Sequence, residues 1–159
     1  MKTNPHEDAV IAQAMAILKQ KLANRQTSLP ALQSHEEIAK LAILTCGALQ
    51  HEEFWCMFFN KNQAMIEFRL MAVGTLNECP VYPREFAKHA LNANASFAIF
   101  VHNHPNGKAY PSTKDTLVNK MMAACFCAID VVLLDHLIVA GDDVYSMADY
   151  GLMPELEPI

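Results

Sequence analysis

His102, His104, Ser112 and Asp115 fall within fourteen residues, in the stretch His102-Asn-His-Pro-Asn-Gly-Lys-Ala-Tyr-Pro-Ser112-Thr-Lys-Asp115. Two imidazoles and one carboxylate are a sufficient protein ligand set for a catalytic zinc, which keeps one coordination position for water. The seven residues between His104 and Ser112 are rich in Pro, Gly and Asn, so they can fold the chain back and bring Asp115 to the same ion. A plainer reading accounts for some of the same residues. Ser112-x-x-Asp115 fits a capping box in its looser form, with no metal involved. A His-x-His at a strand end is also compatible with two exposed histidines. The coincidence of three ligand-type residues, a hydroxyl and a turn-rich spacer in one stretch points to a metal. Capping and ligation are compatible, since one helix start can do both.

The flanking elements give this spacing its geometry. Residues 96–101, Ser-Phe-Ala-Ile-Phe-Val, are an apolar run of strand length. If that strand continues to 104, His102 and His104 share one face, because side chains alternate with period two. Pro105-Asn-Gly107 then breaks the strand as a turn. A helix over 112–127 carries Asp115 in its first turn, facing back toward the strand end.

The rest of the chain reads as one domain. An amphipathic helix is expected over 6–24, with Ala9, Val10, Ile11, Ala14, Ile17 and Leu18 as its apolar residues. Thr27-Ser-Leu-Pro30 is a linker, and Ser34-His-Glu-Glu37 is a capping-box start for a helix over 35–49. Strands follow at 53–59 and 64–76 around the turn Asn60-Lys-Asn-Gln63. Pro83 suits the first position of a helix running to 94. Beyond the 112–127 helix, strands are expected at 130–134, 136–140 and 143–147. Helices and strands mixed in this way imply α/β or α+β with a mixed sheet. The organisation is an N-terminal helix and linker over 1–34, a domain over 35–152, and a Pro-rich tail over 153–159.

Composition narrows the function classes. Of 159 residues, 52% are apolar, enough for a substantial core, and the formal net charge is −5. Broad electrostatic binding of nucleic acid needs a basic footprint, which this balance argues against. No uninterrupted apolar run reaches transmembrane length, and the N-terminus reads as polar and acidic rather than as a signal peptide. Five cysteines with no CxxC pair fit reduced thiols in a cytoplasm, and Cys125-x-Cys127 reads as core. Trp55, Met57 and Phe59 alternate along one strand face as core or interface. Met121 and Met122 read as helix packing. Arg84 and Lys88 lie one helical turn apart, on a solvated face or against substrate.

The string His-x-His-x7-Ser-x-x-Asp resembles the zinc signature of the JAB/MPN metallopeptidases, also called JAMM proteins. The flanking segments resemble the RadC-like branch. They are Gly74-Thr-Leu, Val81-Tyr-Pro-Arg-Glu85, Ala90-Leu-Asn-Ala-Asn-Ala95, Val101-His-Asn-His-Pro105 and Leu134-Asp-His-Leu-Ile138. The resemblance covers roughly 35–152 and is strongest to short RadC-like proteins of prophages and mobile elements. Residues 1–34 are too short for the N-terminal helical region of larger RadC-like proteins. One departure stands in the loop, where Asn106 replaces the usual Ser; Asn suits a turn before Gly.

The resemblance implies a three-layer α-β-α fold of the cytidine-deaminase-like kind. It implies Zn²⁺ held by His102, His104 and Asp115. It also implies a Glu general base at the start of a strand. Glu52 and Glu53 are adjacent candidates on opposite faces, and alignment on Phe54 favours Glu52. Ser112 is implied as the donor to the tetrahedral oxyanion. His136 is read as structural or as a support to the ligands rather than as a fourth ligand. The expected reaction is hydrolysis of an amide in an unidentified peptide, isopeptide or small molecule. Alternatives are a DNA-maintenance role, after the traditional label of RadC-like proteins, and a zinc-bound module without catalysis. No membrane partner and no direct DNA binding are expected, and a homo-oligomer is left open.

Overall fold

The computed structural model describes residues 4–24, 32–75, 79–105 and 107–155; for residues 32–34 it describes the backbone alone. The Thr27–Pro30 linker, Leu76, Asn106 and the end of the tail lie outside the described residues. Four helices run α1 (Pro5–Ala23), α2 (Leu32–Cys46), α3 (Pro83–Asn92) and α4 (Thr113–Cys127). Five strands run β1 (Glu53–Phe59), β2 (Met65–Val73), β3 (Phe97–Asn103), β4 (Val132–Ala140) and β5 (Asp143–Ser146).

The strands form one sheet in the order β2-β1-β3-β4-β5. β3 and β4 are parallel, and the other neighbours are antiparallel, so the sheet is mixed. The parallel pair needs a crossover, and α4 supplies it. Period-two alternation along β1 then divides the core in two. Met57 and Phe59 are buried on the face covered by α1 and α2, with Leu22, Ile38, Leu41 and Ala42, and Trp55 packs against them. Phe54, Cys56 and Phe58 lie on the face covered by α3 and α4, with Phe86, Ala90, Met122 and Phe126. The result is the expected three-layer α-β-α arrangement. Phe58, Phe86, Phe100 and Phe126 are wholly buried in the second cluster. Each such side chain contributes about 1.5–3 kcal/mol by leaving water.

Several sequence expectations need correction. The strands expected at 130–134 and 136–140 are one strand, β4. Ala98 pairs with Leu133 and Ile99 with Asp135, so Leu134 is the extra residue of a bulge. Asp135 interrupts the apolar pattern but not the strand, because its buried carboxylate is fully engaged. It accepts the His136 and Ala148 amides at 2.7 and 2.9 Å and the Ser146 hydroxyl at 2.6 Å. Helix α2 is already formed at Leu32, so Ser34-x-x-Glu37 is not its start. Leu32 and Gln33 are good helix formers, and nothing local stops the helix there. Along α1 the side that packs is Met15, Leu18 and Leu22; Val10, Ile11 and Ile17 face solvent. Met122 is fully buried, whereas Met121 is exposed.

Candidate metal centre

His102 lies near the end of β3, and His104 one residue beyond it still extends the sheet, its amide donating to the Val139 carbonyl at 2.8 Å. Both rings therefore turn to the α3/α4 face, and their Nε2 atoms come within 2.9 Å of each other. The chain then turns back sharply. His104 Nδ1 meets the Lys108 carbonyl at 3.2 Å. A β-carbon on Gly107 would sit 3.2 Å from His104 Cβ, so glycine lets the loop pass this close to the ring.

The loop delivers Ser112 as the N-cap of α4 in a complete capping box. The Ser112 hydroxyl accepts the Asp115 amide at 3.1 Å, and the Ser112 amide donates to Asp115 Oδ2 at 2.7 Å. The Ser112 hydroxyl also lies 2.6 Å from Oδ2. This cap aims the Asp115 carboxylate back at the strand end. Oδ1 lies 3.2 Å from His102 Nε2, and Oδ2 lies 3.4 Å from His104 Nε2. The helix N-terminus adds its own favourable field for a carboxylate. Capping and convergence on the histidines are thus properties of the same side chain.

Electrostatics follow from this crowding. Burial pushes the Asp115 carboxyl up, but hydrogen bonds from His102, His104 and Ser112 outweigh it and hold the group well below the carboxylate range. The hydrogen bond to Asp115 raises His104; burial opposes it, and the Lys108 carbonyl reinforces it. His102, His104 and Asp115 each offer one ligand atom, all within 4.8 Å of one another. Donors around a tetrahedral zinc with bonds of 2.0–2.2 Å stand roughly 3.3–3.5 Å apart. The two Nε2 atoms stand 2.9 Å apart, with one Asp115 oxygen 3.2 Å from His102 and the other 3.4 Å from His104, spacings close to those such an ion requires.

The two adjacent glutamates diverge. Phe54 pairs with His102 across β1 and β3, and the two rings stack at 5.6 Å. Glu52, two residues before Phe54, shares that face. Its backbone is fixed by the Glu52 amide to the Thr75 carbonyl at 2.9 Å and the Gly74 amide to the Glu52 carbonyl at 2.8 Å. The half-buried Glu52 carboxyl is raised by burial; His102 and His104 oppose that, Asp115 adds to it, and Lys114 opposes it. Glu53 faces the other way. Its carboxylate takes the His51 ring at 2.9 Å and the Trp55 indole N–H at 2.8 Å.

Sequence reasoning missed Asn103 and the way His136 is used. Buried Asn103, between the two histidines, accepts the Glu53 amide at 2.8 Å and donates to the His51 carbonyl at 2.9 Å. It thereby pins both sides of Glu52. His136 is fully buried, with Nε2 at 2.8 Å from His102 Nδ1. Burial holds its imidazole in the neutral form, and the charge on His102 acts in the same direction. Only a known strand register could have brought these residues together on paper. Arg84 is almost fully exposed and pairs with Glu85.

Residues 32–152 match the family described as the RadC-like JAB domain. Over 149 residues the chain is 36% identical to a UPF0758 protein of Methylibium petroleiphilum, covering 94% of this chain and 67% of that protein. It is 37% identical over 145 residues to a UPF0758 protein of Ralstonia nicotianae, covering 91% of this chain and 63% of that protein. It is 32% identical over 149 residues to the UPF0758 protein YeeS of Escherichia coli, covering 94% of this chain and 99% of that protein. The chain therefore spans under two thirds of the longer Ralstonia relative and nearly the whole of the shorter Escherichia one.

Proposed function

This chain belongs to the RadC-like JAB domain family, and we propose that it is a zinc-dependent hydrolase of amide bonds, peptide or isopeptide. The observation that carries the reading is the convergence of His102, His104 and Asp115 at a strand end, with Glu52 on the same face. Zinc bound by those three residues supplies a Lewis acid that lowers the pKa of water toward 7 and polarises a carbonyl.

The chain's own groups do the rest. Glu52 takes the proton of the attacking water and passes it to the leaving amine. A carboxyl raised toward the working pH is better matched to that exchange. Ser112 is exposed beside Asp115 and donates to the developing oxyanion. To do so its hydroxyl must turn away from Asp115, while the Ser112 amide keeps its own bond to Oδ2. Phe54 stacks on the His102 ring beside the site.

Elemental analysis of chain purified without a His-tag tests the metal. Near-stoichiometric zinc is expected, and loss of zinc in a His102→Ala, His104→Ala double variant. Equal zinc in that variant overturns the reading. Glu52→Gln should keep its zinc and lose roughly 10²–10⁴-fold in hydrolysis of whichever amide is turned over.

A further inference from the structure

His102 can offer its Nε2 lone pair to a metal only if its proton sits on Nδ1. The tautomer of a ligating imidazole is set by whatever hydrogen-bonds its second nitrogen. Here that partner is His136, 2.8 Å from His102 Nδ1. We infer that His136 is a positioning residue for the metal centre: its Nε2 accepts the His102 Nδ1 proton and holds a bare His102 Nε2 toward the ion. This inference rests on the zinc reading above.

Three observations favour this over packing alone. The first is register. His136 on β4 pairs with Phe100 on β3, which places it diagonally behind His102 on the same face. Its nitrogen meets the side of the His102 ring that points away from His104 and Asp115, so it stands outside the converging donor set. The second is surroundings. The ring is completely buried between Phe54 and Phe100, with centroids at 5.3 and 5.7 Å. An apolar side chain would fill such a pocket without the cost of desolvating an imidazole. The third is how its hydrogen bonds are used. His136 Nδ1 has no hydrogen-bond partner among the described residues, so the ring's polar contact is spent on His102. A neutral imidazole has one donor and one acceptor nitrogen. With Nε2 accepting, the His136 proton must sit on the partnerless Nδ1.

Long-range ¹H–¹⁵N correlation spectra of the labelled, zinc-loaded wild-type chain read the tautomers directly. Both His102 and His136 should carry the proton on Nδ1; a His136 proton on Nε2 overturns the inference. Zinc competition with a chromophoric chelator supplies the second measurement. His136→Phe should bind zinc roughly 10–100-fold more weakly, the usual loss for an outer-shell partner. His136→Gln, whose side-chain carbonyl can accept the same proton, should recover most of that loss. If His136→Phe does not fold, as judged by circular dichroism, the wild-type tautomers and the His136→Gln affinity decide. A folded His136→Phe with undiminished affinity defeats this inference and leaves the zinc reading standing. A wild-type chain that takes up no zinc defeats both.

Discussion

Exchanging Glu53 should cost stability and leave the proposed general base in place, whereas exchanging Glu52 should do the reverse. The two residues are adjacent in sequence and opposite in orientation. The Glu53 carboxylate is the acceptor for the Trp55 indole N–H at 2.8 Å and the partner of the His51 ring at 2.9 Å. Glu53→Leu leaves that half-buried N–H without its acceptor, at about 1–3 kcal/mol. The pair with His51 is partly exposed and adds little. Chains of this size lose about 2–4 °C in melting midpoint per kcal/mol, so the midpoint should fall by roughly 2–12 °C. Glu52→Gln removes a charge that burial already disfavours. A carboxyl raised on folding binds its proton more readily in the native state. Its ionised form therefore weighs against folding at neutral pH, and stability gains as pH falls through the raised value. Glu52→Gln should then melt no lower than wild type. Circular dichroism melts of zinc-free protein, beside zinc content and amide hydrolysis, separate the two effects. A Glu52→Gln chain that melts well below wild type, beside an unaffected Glu53→Leu chain, would falsify the face assignment. So would loss of hydrolysis in Glu53→Gln with full activity in Glu52→Gln.

Ser112→Ala removes the hydroxyl half of the α4 cap, so it should cost about 0.5–2 kcal/mol in chemical denaturation. An unchanged denaturation midpoint would show that the Ser112 amide alone holds Asp115. Zinc at a hundred times its dissociation constant should stabilise the chain by about 2.7 kcal/mol. That gain should vanish with a chelator or on acidification, because the ligands must give up protons to bind; a melt indifferent to zinc argues against the site. With 17 acidic residues against 12 basic ones, the chain should give no gel shift on duplex DNA at micromolar concentration in about 150 mM salt. A salt-sensitive sub-micromolar complex would instead favour a DNA-maintenance role.

The candidate metal ligands were legible in the sequence because each depends on local rules. His102 and His104 share a face by period two, and Asp115 is tied to Ser112 by a helix start three residues long. Glu52 needed one further step, the alignment on Phe54 that the resemblance supplied; that Phe54 faces His102 is visible only in the strand register. What stayed hidden depends on partners distant in sequence. Asp135 looked like a strand break, because the groups that make its burial tolerable, Ser146 and Ala148, belong to the next strand and the turn after it. The apolar residues of α1 could not be ranked, since which of them pack is decided by α2 and the sheet.

The same distance explains why Asn103, and the bond through which His136 acts, could not be read from the sequence while the candidate ligands could. Asn103 reaches across to His51 and Glu53, and His136 reaches across to His102; both bonds join neighbouring strands. They act on opposite faces of the sheet. Asn103 grips the backbone on either side of Glu52 from the α1/α2 face, and His136 grips the His102 ring from the α3/α4 face. The proposed general base and His102 are therefore held by separate devices, and the Phe54–His102 pair lies between them. A substitution at Asn103 should accordingly disturb Glu52 before it disturbs zinc, and one at His136 should disturb zinc before it disturbs Glu52.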